Sequence, residues 1–371
     1  MKRAKTIIAS ISRIVLGMVF VFSGVVKAID PLGTVYKIED YLKAFGGFFI
    51  DLLPMAETAA WGLIILELLL GVCMVTNVRT RWTTWFAFLF YCVMTPLTLY
   101  IALTNPVSDC GCFGDAIVLT NWQTFWKNIV LIIFATLALL LRKHTHPLWK
   151  TWMEAIIAIT TITIVVTFMV WTKNHLPVLD FRPYKIGNHI PTLMEYPEDA
   201  EPDQYEISFV YAQDGIEHTF TLENYPKGDS TWVFVRQESK LIKKGYEPPI
   251  HDLEIMNANY EDLTWDILES EEPVTLVVMY DLAKADKQQM AKVERLLGDE
   301  VMRLEGDEAR AYILTGSSTD EIIAFSMNYP ALSDCICTCD PVTLKTIVRA
   351  NPGVIVVQNG IVIDKYNVNN K

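Results

Sequence analysis

The cysteines of this chain fall mainly into two short clusters. Cys110 and Cys112 are separated only by Gly111, in the segment DCGCFGD at residues 109–115, and a second cluster holds Cys335, Cys337 and Cys339 at alternate positions. Thiols at this spacing can exchange disulfides, brace a loop, or bind a soft metal such as Cu(I) or zinc. Disulfides persist only in oxidising compartments, so the chemistry depends on the side of a membrane that the cysteines face.

A disulfide between Cys110 and Cys112 would close a very small ring, with Gly111 relieving the backbone. Strained and exposed disulfides are the oxidising, labile kind, which favours a transferable disulfide over a structural bridge. Asp109 and Asp115 should disfavour the thiolate by like charge, or accept a proton during exchange. Disulfide exchange is therefore our first interpretation, and a structural bridge or a metal site are the alternatives.

The second cluster precedes a predicted helix, with Asp340 as its N-cap and Pro341 in its first turn. A helix N-terminus lowers the pKa of a neighbouring thiol, so Cys339 is expected to be reactive. Three thiols leave one free after any internal pairing. Cys335, Cys337 and Cys339 could exchange with the first cluster, form a structural disulfide beside a buried thiol, or help to bind a metal.

Five apolar stretches are long enough to cross a bilayer, which takes about 20 mainly apolar residues. They lie at residues 7–29, 59–76, 82–103, 125–141 and 152–171. The first stretch is too long for the apolar core of a signal peptide and lacks a cleavage site, so we predict a membrane helix there. Cys73 and Cys92 lie inside these stretches and are interpreted as packing residues.

Charge divides the chain into two halves. Residues 1–175 carry 14 Lys and Arg against 9 Asp and Glu, and residues 176–371 carry 17 against 34. The more basic loops hold Lys2, Arg3, Arg79 and Arg142, and cytoplasmic loops are the ones enriched in cations. We therefore expect a multi-pass inner-membrane protein with a cytoplasmic N-terminus. The Cys110 loop and the acidic C-terminal half would lie outside, and that acidity argues against nucleic-acid binding.

One carboxyl group lies near the middle of the second apolar stretch. A charge at that depth costs at least about 2.5–3.5 kcal/mol, so Glu67 should be protonated, paired or facing a cavity. Lys27 is a candidate partner, although snorkelling to the interface is the simpler expectation for it. A buried carboxyl group could line a quinone or proton site that reoxidises the thiols. Glu67 and Lys27 are therefore candidate cofactor-binding residues, with a quinone as the candidate cofactor.

The second half has the pattern of a soluble domain. Residues 176–204 form a connector, and residues 205–238 a small β element with a hairpin turn at Asp214-Gly215. Strands are predicted at 274–280, 311–314, 330–332, 354–357 and 361–364, and helices at 287–297, at 320–327 and from Pro341. The order β-α-β-α-β-α-β-β predicts a mixed sheet.

This order, closed by RANPGVIVVQNGIVI at residues 349–363, resembles the thioredoxin superfamily, especially its TlpA- and peroxiredoxin-like branch. The resemblance covers about residues 245–367 and implies that Pro352 is the family's cis-proline. The family's Cys-x-x-Cys position corresponds to residues 280–286, which contain no cysteine. The usual thioredoxin chemistry is therefore not carried over, and the resemblance places the 335–339 loop on the same rim of the sheet.

The membrane half resembles the DoxX/MauE group of helical membrane proteins over about residues 7–142. The matching residues are Arg13, Gly17, Phe20, Ser23, Gly24 and Lys27 in the first stretch, Glu67 and Gly71 in the second, and the Cys-Gly-Cys-Phe-Gly motif that begins at Cys110. The resemblance implies a four-helix unit and thiol–disulfide work in the maturation of an exported, disulfide-rich partner.

These observations predict an α-helical membrane bundle followed by an α/β thioredoxin-like extracytoplasmic domain. The expected parts are a membrane domain at 1–142, a fifth transmembrane tether at 143–175, a connector with the small β element at 176–244, and the thioredoxin-like domain at 245–371. The expected function is disulfide exchange or disulfide maturation of an extracytoplasmic client protein, with lipid around the spans. The alternatives are a non-catalytic binding or chaperone module with structural disulfides, and a Cu/Zn-handling protein.

Overall fold

The computed structural model describes residues 2–107, 109–145, 148–213, 215–229, 231–243, 245–284, 286–302 and 311–370. The chain divides into two compact units, Met1–Asn188 with Glu254–Lys371, and His189–Leu253. The domain boundaries drawn from the sequence stay predictions.

The first part of the larger unit is helical. Its helices are α1 (Lys2–Ile29), α2 (Pro31–Phe45), α3 (Ala56–Thr76), α4 (Thr80–Thr104), α5 (Asn121–Leu140) and α6 (Thr151–Asn174), with a 3-10 segment at Gly47–Met55 before α3. All of these except α2 are long and apolar enough to cross a membrane, α3 together with its 3-10 segment, which confirms the prediction of five spans. Their exposed apolar side chains provide a surface for lipid contact.

Small residues let α1 and α3 approach closely. A Cβ atom on Gly17 would lie 2.8 Å from a methyl group of Val75, and one on Gly71 would lie 2.6 Å from the main-chain nitrogen of Val21. Glycine is therefore required at both positions, as in other close crossings of membrane helices. The crossing sets the register of the two helices, so that Glu67 of α3 lies beside the last turns of α1.

Helix α2 was not predicted from the sequence. Its first turn is closed by Asp30, whose side chain accepts a hydrogen bond from the main-chain N–H of Gly33, and Pro31 occupies the first helical position. Aspartate at the N-cap followed by proline is a favoured helix start, so the local signal for α2 is present in the sequence.

The smaller unit contains a short helix, α7 (Ile190–Met194), and the three strands β1 (Gln204–Gln213), β2 (Ile216–Thr221) and β3 (Val233–Lys243). The strands form an antiparallel sheet in the order β2-β1-β3. This confirms the small β element, with β1 and β2 adjacent as the hairpin prediction required. Asp214 of the predicted turn lies outside the described residues.

The larger unit also contains a five-stranded sheet with α/β connections. Its elements are α8 (Thr264–Leu268), β4 (Val274–Val278), α9 (Lys287–Met302), β5 (Ala311–Thr315), α10 (Thr319–Asn328), β6 (Ile336–Thr338), α11 (Pro341–Ile347), β7 (Gly353–Gln358) and β8 (Ile361–Asn367). The strand order is β6-β5-β4-β7-β8, with β4, β5 and β6 parallel and the remaining pairs antiparallel. The predicted mixed sheet and its element order are confirmed, and the Asn351–Pro352 peptide bond is cis.

One predicted strand was wrong. Residues 330–332 belong to a 3-10 turn, Pro330–Cys335, and the strand follows at Ile336–Thr338. Pro330 has no N–H to contribute to a sheet, and the N–H of Leu332 is used within the turn, where it donates to the carbonyl of Tyr329. The observed strand contains Cys337 and is at the edge of the sheet, so the second cysteine cluster lies at that edge.

Candidate functional site

The Cys110–Cys112 pair lies in the loop between α4 and α5. Both cysteines are free thiols, with Cys110 buried, Cys112 half-buried and their Sγ atoms 3.1 Å apart. Gly111 between them has φ +64°, a left-handed conformation, and a Cβ atom there would lie 2.8 Å from Cγ of Lys37. Only glycine fits this position without strain, so the Cys-Gly-Cys spacing is a structural requirement for bringing the two sulfur atoms together.

Helix α2 holds the first part of this loop, at Asp109 and Cys110. Lys37 Nζ forms an ion pair with Asp109 Oδ2 at 2.8 Å, and Asp109 Oδ1 accepts the main-chain N–H of Gly111 at 2.8 Å. The hydroxyl of Tyr41 donates to the carbonyl oxygen of Cys110 at 2.9 Å. The unpredicted helix therefore supplies two of the groups that position the thiol pair.

A buried ion pair between α1 and α3 holds the next part of the loop, at Cys112. Lys27 Nζ lies 2.8 Å from Glu67 Oε2, and both side chains are 5 % exposed. The same ammonium group donates to the carbonyl oxygen of Cys112 at 2.7 Å and to the hydroxyl of Ser23 at 2.6 Å. The Ser23 hydroxyl also lies 2.7 Å from that carbonyl oxygen and 2.8 Å from Glu67 Oε2. The expectation that Lys27 snorkels is wrong, since the crossing of α1 and α3 places a carboxylate within its reach.

The pKa values of the two thiols are shifted in opposite directions. The hydrogen bond from the Cys110 thiol lowers the pKa of Cys112 to about 6 against the effect of burial, and the nearby cations Lys127 and Lys27 act in the same direction, whereas Glu67 opposes it. The same hydrogen bond and burial raise the pKa of Cys110. Asp109 is paired with Lys37, and the like-charge effect of Asp109 and Asp115 on the thiols stays a prediction. Cys112 is therefore the sulfur that carries negative charge near neutral pH.

A cavity of about 230 Å³ adjoins the thiol pair. Its apolar wall comes mainly from α1, α3 and α4, and its polar groups come from every element around the loop. The apolar side chains include Val19, Leu63, Phe90, Tyr91, Met94 and Leu97, and the polar ones include Lys27, Tyr41, Glu67, Lys127 and Asn128. Apolar walls with a few polar groups are typical of small-molecule sites. The cofactor-binding role of Glu67 and Lys27 stays a prediction.

The five-stranded sheet contacts the bundle beside this loop. Arg349, which follows α11, lies 2.8 Å from Asp30 Oδ2 through Nε and 3.2 Å from Asp115 Oδ2 through Nη2. Burial opposes the charges, but Arg349 holds the pKa of Asp30 below its usual value, and the two aspartates raise the pKa of Arg349. Asp115 is three residues beyond Cys112, so the sheet contributes directly to the conformation of the cysteine loop.

A second contact lies at the end of β4. The hydroxyl groups of Tyr36 and Tyr280 are 3.1 Å apart, and Lys345 Nζ lies 4.7 Å from the centre of the Tyr36 ring. Tyr280 begins the segment that corresponds to the cysteine pair of thioredoxins in the resemblance described above. This contact could not be predicted from the sequence, because a pairing between α2 and the end of β4 has no local signal.

The second cysteine cluster is placed elsewhere in the unit. Cys335 ends the 3-10 turn, Cys337 lies in β6, and Cys339 follows it with its N–H donating to the carbonyl of Thr315; all three cysteines are buried. None of them lines the cavity next to Cys110 and Cys112. Burial raises the pKa of Cys335, and it raises that of Cys337 to about 12. These two thiols are therefore poor nucleophiles near neutral pH.

Two further expectations concern caps and metals. Asp340 accepts hydrogen bonds from the N–H groups of Val342 and Thr343, which confirms the predicted N-cap of α11. Within the described residues, no group of three or more His, Cys, Asp or Glu side chains is arranged to hold a metal ion. The Cu/Zn-handling alternative gains no support from that part of the chain.

Comparison with known proteins agrees with the membrane part of this description. Residues 5–141 match the family model of methylamine utilisation protein MauE, in agreement with the resemblance over residues 7–142. Residues 205–244, which include the three-stranded sheet, match the model of a domain of unknown function, DUF8463. Neither match covers the five-stranded sheet. No curated protein and no solved structure matches the chain.

Proposed function

We propose, with the MauE-like membrane unit as the premise, that this protein exchanges disulfides with an extracytoplasmic protein partner through Cys110 and Cys112. The observation that carries the proposal is the thiol pair itself, with its sulfur atoms 3.1 Å apart beside a cavity. A loop needing only a brace would not require one thiol to be activated, whereas the pKa of Cys112 is lowered to about 6. An ionised thiol is the nucleophile in disulfide exchange.

The reaction needs no group beyond the four sulfur atoms that take part. A thiolate of the pair attacks the partner's disulfide, one partner sulfur leaves as a thiolate, and a mixed disulfide forms. The second thiol of the pair then attacks the mixed disulfide and releases the other partner sulfur. One disulfide is formed and one is broken, and the reverse sequence oxidises a partner dithiol.

In this proposal the cysteine loop lies on the extracytoplasmic side of the membrane. The cation-rich loops at the other end of the spans favour a cytoplasmic position for that end, in an inner membrane. The loop between α4 and α5 then faces an oxidising compartment, in which a disulfide can persist. The partner would be an exported protein with disulfides of its own.

We further propose that the five-stranded sheet is a thioredoxin-like domain without the family's cysteine pair. Its three parallel strands, the antiparallel β7 and β8, and helices between the strands support this proposal. The contact of Tyr280 with Tyr36 supports a role in which the domain is held against the cysteine loop of the bundle. Exchange between this loop and Cys335, Cys337 and Cys339 stays a prediction, and the raised pKa values of Cys335 and Cys337 favour a packing role instead.

Peptide-resolved differential alkylation with mass spectrometry tests the exchange. The fraction of Cys110 and Cys112 present as a disulfide should differ between membranes from cells grown with and without reductant. The purified protein should oxidise or reduce an added protein substrate. C110S and C112S should each abolish this turnover, whereas C92S, in the middle of α4, should not. A thiol pair that keeps one redox state under every condition would refute the proposal and favour the non-catalytic binding module.

A further inference from the structure

The two thiols of the pair differ in ways that assign them different tasks, an inference that rests on the proposed exchange. We propose that Cys112 is the attacking sulfur and Cys110 the resolving one, and that Lys27, fixed by Glu67 and Ser23, is the positioning residue of Cys112.

The geometry supports this assignment first through burial. Cys110 is buried, and its carbonyl oxygen is held by Tyr41 of α2. Both cysteines line the cavity, but Cys112 is only half-buried, so it is the more accessible residue of the pair for a partner's disulfide. After the first attack, Cys110 is close enough to attack the mixed disulfide, because its sulfur lies 3.1 Å from that of Cys112.

The ion pair on the Cys112 carbonyl oxygen is the second argument. Removing two charges from water is costly, and a buried ion pair contributes little net stability compared with apolar residues of the same size. Two apolar side chains at positions 27 and 67 would therefore stabilise the crossing of α1 and α3 at least as much as the ion pair does. What they could not do is donate to the carbonyl oxygen of Cys112, which Lys27 does at 2.7 Å.

The charges around the thiol pair determine in which direction each substitution shifts the pKa of Cys112. Lys27 of α1 and Lys127 of α5 stabilise the Cys112 thiolate, and Glu67 of α3 destabilises it. Tyr91 of α4, Tyr41 of α2 and Cys110 are the other titratable groups that interact with Cys112. On the loop itself, Asp109 is paired with Lys37 of α2 and Asp115 with Arg349.

The reaction follows with its atoms balanced. The Cys112 thiolate attacks one sulfur of the partner's disulfide, and the other partner sulfur leaves with the electron pair and takes a proton. Cys110 then loses its proton and attacks Cys112 Sγ, which releases the partner's second thiolate. The products are the Cys110–Cys112 disulfide and a partner dithiol. In the opposite direction the mixed disulfide again involves Cys112, by microscopic reversibility.

Trapping the intermediate tests the assignment of the two sulfurs. Purified full-length protein in detergent is incubated with oxidised glutathione, and glutathione adducts are located by mass spectrometry. C110S should accumulate an adduct on Cys112 because the resolving thiol is missing, whereas C112S should accumulate about 10-fold less on Cys110. An adduct that forms faster on Cys110 in C112S would overturn the assignment while leaving exchange by the pair intact. No adduct in either variant, together with an inert wild-type pair, would instead count against the proposed function.

Opposite charge changes test the role of Lys27. The rate of alkylation of Cys112 is measured against pH in the reduced protein, with the modified sulfur identified by fragment spectra. K27M should shift the midpoint upward by about one pH unit or more, and E67Q should shift it downward, because each removes a charge of opposite sign near the thiolate. A purely structural role would move both midpoints in the same direction.

Two controls keep this test decisive. R79M removes a cation whose ion pair with Glu154 involves α4 and α6 and not the cysteine loop, and it should leave the midpoint unchanged. The double variant K27M/E67Q removes both charges and reports on folding through its elution volume and yield. Because the two charge effects oppose each other in the midpoint, the readout for this variant is the rate of glutathione-adduct formation on Cys112. If the variant elutes like the wild-type protein and keeps the wild-type rate, Lys27 does not position Cys112.

Discussion

Arg349 provides a sharp test of how the sheet is held against the bundle. R349M keeps most of the length of the side chain but removes the charge that lies 2.8 Å from Asp30 and 3.2 Å from Asp115. The two carboxylates are not equivalent, because the side chain of Asp30 is 16 % exposed and that of Asp115 is 44 % exposed. Most of the effect should therefore come from Asp30, which is left without its main cation.

The magnitude follows from the burial of this pair. Removing one partner of a buried ion pair destabilises a protein by about 3–5 kcal/mol, and the partial exposure of Asp30 favours the lower end of that range. A loss of about 3 kcal/mol in the free energy of opening corresponds to a rate of exchange about 100-fold faster. R236M is the matched control. Its guanidinium pairs with Glu217 and Glu238, all about half exposed, and surface pairs contribute only about 0–1 kcal/mol.

Hydrogen exchange read by mass spectrometry is the suitable assay. Amides of α2 and α11 should lose about two orders of magnitude of protection in R349M, and amides of β3 should not change. Arg349 lowers the pKa of Asp30, so the stability that this group contributes is present above its unfolded-state pKa of about 3.9 and is lost as the pH falls through the lower folded-state value. The difference in amide protection between the wild-type protein and R349M should become smaller as the pH falls over the same range. Protection in α2 and α11 that changes as little as in R236M would refute the reasoning.

Three other consequences can be measured on the same protein. Gly71→Leu should lower the unfolding temperature in detergent, because a Cβ atom there lies 2.6 Å from main chain, whereas Gly62→Ala, which meets nothing within 4 Å, should leave it unchanged or raise it. Alkylation at pH 7 should modify Cys112 at least about 100-fold faster than Cys337, whose pKa burial raises to about 12, and comparable rates would contradict this. Burial lowers the pKa of Lys365 in the folded protein to about 8, whereas its ordinary value is 10.5. Between these two pH values the unfolded chain therefore binds more protons than the folded protein does. Thermal stability should gain a component that rises with pH over this range, and K365M should lack that component.

The membrane spans and the element order of the sheet could be predicted because their signals are local. Twenty apolar residues in a row, alternating strands and helices, and Asn359-Gly360 between β7 and β8 are all read within a short window of sequence. The same holds for Asp340 and Pro341 at the start of α11. The signal for the start of α2, Asp30 followed by Pro31, is equally local, so this helix was also predictable from the sequence.

The contacts of the site could not be predicted in the same way. Lys27 and Glu67 are 40 residues apart, and their pairing depends on the close crossing at Gly17 and Gly71. Snorkelling was the simpler expectation for Lys27 because a single sequence does not reveal which face of α3 meets α1. Arg349 and Asp30 are 319 residues apart, and nothing in either segment indicates the other. Tertiary packing decides both pairs.

The cysteine loop depends on three cations from three different parts of the larger unit. Lys37 of α2 holds Asp109, Lys27 of α1 holds the carbonyl oxygen of Cys112, and Arg349 beside the sheet holds Asp115. The segment between Asp109 and Asp115 includes two glycines with positive φ, Gly111 and Gly114, so its own backbone preferences do not fix its shape. These contacts therefore help to hold the loop in the conformation in which the two sulfur atoms are 3.1 Å apart. It follows that any change in how the sheet is held at Arg349 reaches the thiol pair through Asp115, over only three residues of chain.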